Sequence, residues 1–414
     1  MKRTLIFLTI CILSFHAKAQ HSPFHYPSYK GLVMAGYQGW FNTPTDGANR
    51  GWHHYEHRGV FAPGSCEVDL WPDMREYKKQ YPSPFRFADS SVANVFSPYD
   101  QSSVDLHFKW MKDYGIDGVF MQRFVAEVRN PSGKQHFNTV LHHAMTAAKR
   151  NDRAICIMYD LSGMNPGEEL FLLHDLDELT KEYGLLEKSG KTSPTYLHHH
   201  GKPLITIWGV GFNDHRKYGF KEAETIIDGL KARGFSVMLG VPTYWREFGA
   251  DALHDEALHA LLRKCDIVAP WFVGRYDQAA YPAFHETVVK DIAWCKENHV
   301  DYVPLAFPGF SWRNMNGPAA HTIARNKGAF FWQQVAGAKE AGAEMLYIAM
   351  FDEMNEGTSI FKCATESKLP LHPGGVFVGI EDELGSDHYL WLAGQAANWF
   401  HGKPGYGENL PKRK

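Results

Sequence analysis

"MLYIAMFDEMNEG", residues 345–357, opens with seven apolar residues and then sets Asp352, Glu353 and Glu356 within five positions. A strand with one wet face alternates polar and apolar residues, whereas an unbroken apolar run fits a parallel strand covered on both faces. Seven further runs of nearly continuous apolar character precede it, at 32–39, 117–124, 154–161, 203–210, 236–242, 267–274 and 302–309. Segments with helical apolar spacing lie between or after them, at 103–114, 136–150, 167–186, 221–233, 283–297, 329–341 and 387–400. A fifth helix has to come from "DALHDEALHALLRK", 251–264. Strand-helix alternation fits a doubly wound sheet as well, but eight units with a closing terminal helix predict an α/β fold of the (β/α)8 TIM-barrel type.

Residues 1–19 read as an export leader, with Lys2 and Arg3, an apolar "TLIFLTICIL" and a small-x-small cleavage site at Ala17-Lys18-Ala19. Ile10 stands before Cys11 where a lipid-attachment signal needs a small residue. The expectation is therefore a protein released to the periplasm or secreted, in a bacterial context, whose one domain spans 20–414. No later run reaches the roughly 18 apolar residues of a membrane helix. The 43 basic and 46 acidic residues give a formal charge of -3, which becomes -6 once Lys2, Arg3 and Lys18 leave with the leader. That balance argues against nucleic acid as a partner. The cysteines left after the leader, Cys66, Cys156, Cys265, Cys295 and Cys363, are odd in number and show no CxxC spacing, so they form neither a disulfide framework nor a zinc module. The long first connection, 40–101, is rich in Gly, Pro, His and Trp, and its aromatic content predicts an ordered loop.

In such barrels the chemistry sits at the C-terminal ends of the strands. The residues closing the runs are Tyr37 and Gln38, Gln122 and Arg123, Tyr159 and Asp160, Trp208, Tyr244 and Trp245, Trp271 and Arg275, Trp312 and Asn314, and finally Asp352, Glu353 and Glu356. Rings that stack on pyranose faces, with acids and amides that bond to hydroxyls, suit an oligo- or polysaccharide and not a polyphosphate. Glu353 and Glu356 are three residues apart, a spacing that on a helical turn brings Cβ atoms to about 5–6 Å. Glycoside hydrolysis needs two such carboxyl groups, although sequence spacing fixes neither their separation nor the stereochemistry. Gly357 permits a sharp turn next to them. There is no HExxH, GxSxG or GxxxxGKS/T, and "GVGFND" at 209 lacks a dinucleotide fingerprint's third glycine. The histidine groups 53–54, 142–143 and 198–200 lack a helical i,i+4 pair, so no metal and no cofactor is expected.

Five stretches carry a family resemblance: "GYQGWFNTPTDGANRGWHHY" (36–55), "WPDMREY" (71–77), "HFKWMKDYGIDGVFMQRF" (107–124), "YLHHHGKPLITIWGVGF" (196–212) and "FDEMNEGTSI" (351–360). Together they resemble glycoside hydrolase family 99 and its relatives in family 71, in order from the first strand to the eighth. The resemblance implies a (β/α)8 barrel and an endo-acting, retaining α-mannosidase or α-mannanase. Carried over by motif, Glu353 falls on the acid that acts through the substrate 2-hydroxyl in a 1,2-anhydro-sugar route, and Glu356 on the general acid/base. Tyr37, His53 and His54 fall on motifs close to substrate, and Gln38, Gln122, Trp245, Trp271, Arg275 and Asp352 complete the expected substrate-binding set. Where the family has Asn-Glu-Trp-His-Glu, this chain has Asp352-Glu353-Met354-Asn355-Glu356. Both catalytic acids survive while their surroundings change. A carbohydrate-binding barrel without turnover, or an inverting family-71-like α-glucanase, are the alternatives.

Overall fold

The computed structural model describes residues 24–187, 193–317 and 319–413, so the expected leader lies outside the described residues. Eight parallel strand positions form a ring. They are β1 (Val33–Tyr37), β2 (Gly118–Phe124), β3 (Ala154–Asp160), β4 (Lys202–Trp208), β5 (Ser236–Val241), β6 (Ile267–Pro270), β7 (Leu305–Ala306) and β8 (Leu346–Ile348). Neighbours in sequence pair from β1 through β6, and β1 also pairs with β8. The seventh strand closes the ring in two pieces: Asp301–Tyr302 pairs with β6, and Leu305–Ala306 pairs with β8. Pro304 falls between the pieces, where it offers no N–H to a ladder.

The outer layer consists of α1 (Gln101–Tyr114), α2 (Pro131–Asn151), α3 (Glu168–Tyr183), α4 (Phe220–Arg233), α5 (Ala257–Leu262), α6 (Tyr281–Glu297), α7 (Ala329–Glu340) and α8 (His388–Phe400). Their ends follow local chemistry. Asp100 caps α1 by accepting from Ser102 N–H, Pro131 occupies the first turn of α2, and α3 stops at the left-handed Gly184. The fifth helix is the shortest of the layer, six residues from the predicted segment.

The long first connection is ordered. It contains an antiparallel hairpin, Tyr81–Arg86 with Val92–Val95, and its aromatics Phe61, Trp71 and Phe85 pack together with Phe377. Tyr55 donates to Phe96 O, and the hydroxyl of Tyr77 is hydrogen-bonded to His107 on α1, so the loop is pinned to the barrel wall. All five cysteines among the described residues are free and buried, and no described helix is long and apolar enough to cross a membrane.

Candidate active site

The backbone leaving β8 is gripped on both sides. Asp352 is fully buried and accepts from the N–H groups of Gln38 at 2.7 Å and Gly39 at 2.9 Å, tying the exit of β8 to the exit of β1. Further on, Ser359 N–H donates to Glu353 O, and Arg325 donates to the carbonyls of Gly357 and Ser359 while its guanidinium lies over the Tyr389 ring of α8. Gly357 turns the chain at φ +62, a conformation that favours glycine. Held in this way, Glu353 is buried and accepts from Gln38 Nε2 at 2.8 Å, while Glu356 stays half-buried.

Other strand ends complete the surroundings. Gln122 of β2 is buried and donates to the hydroxyl of Tyr347 at 3.2 Å. Asp160 ends β3 in register with Trp208 of β4; its charge adds to the upward push on Glu353 and Tyr347, and that of Arg216 acts on it in turn. Trp208 of β4 meets Trp271 edge-on with ring centroids 5.3 Å apart, and the Arg216 guanidinium lies over the Trp208 ring. The Trp312 indole and the Arg275 cation, the latter paired with Asp251 at 2.9 Å, both act to lower the Glu356 pKa. On the far side, His54 stacks on Trp40, Trp40 stacks on Phe124, and Asn355 donates to His54 O.

Burial is the main force on the acids. It pushes Glu353 well above the ordinary carboxylate range, and the charge of Glu356 adds to the push, against the hydrogen bond from Gln38. Burial also raises Glu356 to about 7, opposed by Trp312 and Arg275. Asp352 is raised to about 7 by burial in spite of its two N–H donors, and burial raises Asp160 as well. Like charges this close cannot both ionise easily, so the Glu pair retains a proton into the neutral range. Several buried polar atoms around the acids have no hydrogen-bond partner: the indole N–H groups of Trp40, Trp208 and Trp312, Gln38 Oε1 and Asn355 Oδ1. Such groups are costly unless a ligand or water meets them.

The structure brings together Glu353, Glu356, Gln38, Gln122, Trp271, Arg275 and His54. Four expected ligands lie elsewhere or are already engaged, Arg275 being one through its pair with Asp251 at 2.9 Å. Tyr37 points outward from β1, is fully buried, stacks on Phe351 and shares a hydrogen bond with His107 of α1. Trp245 is also fully buried, donating to Asp291 and packing edge-on against Trp294, both on α6. Asp352 spends both oxygens on backbone. Asp160, Trp208 and Trp312 join from strand ends that the sequence does mark, whereas Arg216 and Tyr347 carry no local signal. His53 lies beside the cluster, with the Arg50 guanidinium bonded to both His53 and Glu127. That cation is thus bonded to two of the three residues His53, His54 and Glu127, whose ligand atoms lie within 4.8 Å of one another. At the second histidine-acid group, His199, His200 and Asp301, Lys30 already pairs with the acid at 2.8 Å.

No family model and no curated protein matches the chain. Among solved structures it is similar to the GH99 endo-α-mannosidase from Bacteroides thetaiotaomicron, with a TM-score of 0.63 and 14% identity over 92% of this chain and 100% of that one. A second structure of that endo-α-mannosidase, in complex with bis-tris-propane, gives a TM-score of 0.62 and 15% identity over 91% and 98%. At this identity the likeness shows a shared fold, a (β/α)8 barrel over nearly the full length of both chains.

Proposed function

We propose that the chain is an exported glycoside hydrolase that cleaves α-linked glycans, endo-acting and retaining, with an α-mannan-type substrate. The observation that carries this reading is the desolvated Glu353–Glu356 pair at the C-terminal mouth of the barrel, among tryptophans whose buried N–H groups lack partners. An acid pair that shares one proton near neutrality supplies an acid and a base at the same pH; burial favours that proton on Glu353 in the free protein, and the reaction uses the form with the proton moved to Glu356. Glu353 takes the proton of the sugar 2-hydroxyl as that oxygen attacks the anomeric carbon, and Glu356 gives its proton to the departing glycosidic oxygen. Water then opens the 1,2-anhydro sugar, delivering its proton to Glu356, while Glu353 returns its own to the 2-oxygen. The Gln38 amide steadies Glu353 as it cycles, and the neutral, aromatic-rich surroundings suit a polyhydroxylated ligand.

The test is reducing-end release over α-mannans, α-glucans and other α-linked glycans, with wild type beside Glu353→Gln and Glu356→Gln. Wild type is expected to cleave an α-mannan, and each variant to lose at least about a hundredfold in rate. Glu356 has to be protonated to act, and its pKa is raised to about 7, so the rate should fall as pH rises through about 7. Variants as active as wild type sink the assignment of the acids. Binding without any turnover by wild type points instead to a carbohydrate-binding barrel, and an inverted first product points to family-71-like chemistry.

A further inference from the structure

We infer that Asp69 is a positioning residue for the acid pair, holding the loop that carries Trp312 against the loop that carries Glu353 and Glu356. The role presupposes the hydrolase reading above, yet its geometry stands on its own. Asp69 belongs to the long first connection, is fully buried, and uses both carboxylate oxygens. Oδ2 accepts from the Ser311 hydroxyl and from Arg313 N–H at 2.8 Å, and Oδ1 accepts from Asn314 N–H at 2.9 Å. These bonds bracket Trp312 on either side. The Asp69 N–H in turn donates to Met354 O at 2.9 Å, between the two catalytic glutamates. Asn314 returns a bond to Val68 O, and Ser311 N–H donates to Glu356 O at 2.8 Å. Asp69 therefore joins three segments that lie far apart in sequence: its carboxylate holds 311–314, which carries Trp312, and its N–H holds the loop of the two glutamates, to which Ser311 is bonded in turn.

A carboxylate is a costly means of holding loops, since burial raises its pKa to about 6 against the hydrogen bonds that it accepts. A neutral acceptor would bond to the same donors with less strength, because charge-assisted hydrogen bonds are about twice as strong as neutral ones. What the charge adds is a fixed distance between Trp312 and Glu356. The ionisable groups facing Asp69 are Arg313 and the Cys66 thiol, and those facing Glu356 are Glu353 and Arg275.

The experiment compares wild type, Asp69→Asn, Asp69→Ala and Ser311→Ala in two measurements. The first is the pH dependence of kcat and KM on the best glycan. Asp69→Asn is expected to lower kcat about ten- to hundredfold with little change in KM. Its alkaline limb should move to higher pH, because the Trp312 indole, which lowers the Glu356 pKa, is no longer held in place. The second measurement, amide hydrogen exchange, needs no activity. Asp69→Ala should speed exchange in 311–316 and in 353–357 together, and Ser311→Ala, which deletes one bond and spares the fold, should do so to a smaller extent. A wild-type alkaline limb and kcat in Asp69→Asn overturn the role, as does unchanged exchange at 353–357 in both Asp69→Ala and Ser311→Ala. If wild type cuts no glycan, the hydrolase reading fails alone and exchange decides whether Asp69 joins the loops.

Discussion

Gln122 and Arg123 are bonded neighbours separated by the thickness of a sheet. Successive side chains on a strand face opposite ways, so Gln122 enters the barrel to meet Tyr347 while Arg123 leaves it for Asp175, at 2.6 Å through both Nε and Nη2. Arg123 and Asp175 are 2% and 0% exposed as side chains, which makes this a pair that stability depends on once one partner is lost. Arg123→Ala is expected to destabilise the fold by about 3–5 kcal/mol in urea unfolding while leaving substrate KM alone. A loss under about 1 kcal/mol would show that Asp175 finds other partners. The same alternation explains which site residues the sequence discloses. Gln38 and Tyr37 both end β1, and only the register of the ladder decides that the amide reaches Glu353 and the phenol reaches α1. Trp245 attracts notice by its size, but it lies past the end of β5, where its indole N–H meets α6. Arg216 sits in a loop after β4 with no periodicity around it, and nothing in one sequence marks it out.

At the scale of elements, the strands are legible because being covered on both faces leaves an unmistakable apolar run. The predicted 154–161 and 203–210 become Ala154–Asp160 and Lys202–Trp208. The hairpin strand Tyr81–Arg86 is unreadable for the opposite reason: its two prolines argue against a strand, and it survives because they occupy exposed, alternate positions. The predicted run 302–309 gives two short pieces, since Pro304 breaks the ladder. One close approach between elements shapes the mouth. Gly240 of β5 lies so near Trp208 of β4 that a Cβ would stand 2.4 Å from the ring and 2.9 Å from the Trp208 backbone. Gly240→Ala is therefore expected to displace the Trp208 ring, raising KM several-fold with a smaller change in kcat. An unchanged KM would mean that Trp208 is packing and no part of the substrate wall.

For the whole molecule, buried carboxylates set how stability responds to pH. Burial raises Asp69 to about 6, and Asp291, Asp352 and Glu356 to about 7. Between roughly pH 4 and 7 each of these acids binds more protons folded than unfolded, and the stability it contributes falls as pH rises; the histidines that burial keeps neutral, His107 and His136 at about 3 among them, act the other way and add stability up to about pH 6.5. Asp301, whose bonds to His199 and Lys30 outweigh its burial, and Asp387, held by Arg413, lie below the ordinary range. Their contribution is present above about pH 4 and is lost only in stronger acid. Above about pH 6.5 the histidines no longer titrate while the acids near 7 still do, so Tm should decline from about pH 6.5 to 8, and a Tm that climbs over that range would contradict this balance. The split seventh strand acts at the same scale. A ring closed by eight full ladders has its circumference fixed by strand number and stagger. Here one strand is divided between its neighbours, and the loops leaving β7 and β8 beside that seam hold Trp312 and the two glutamates. The spacing between Trp312 and the two glutamates thereby rests on two ladders of two residue pairs each, where the other six ladders have between three and seven.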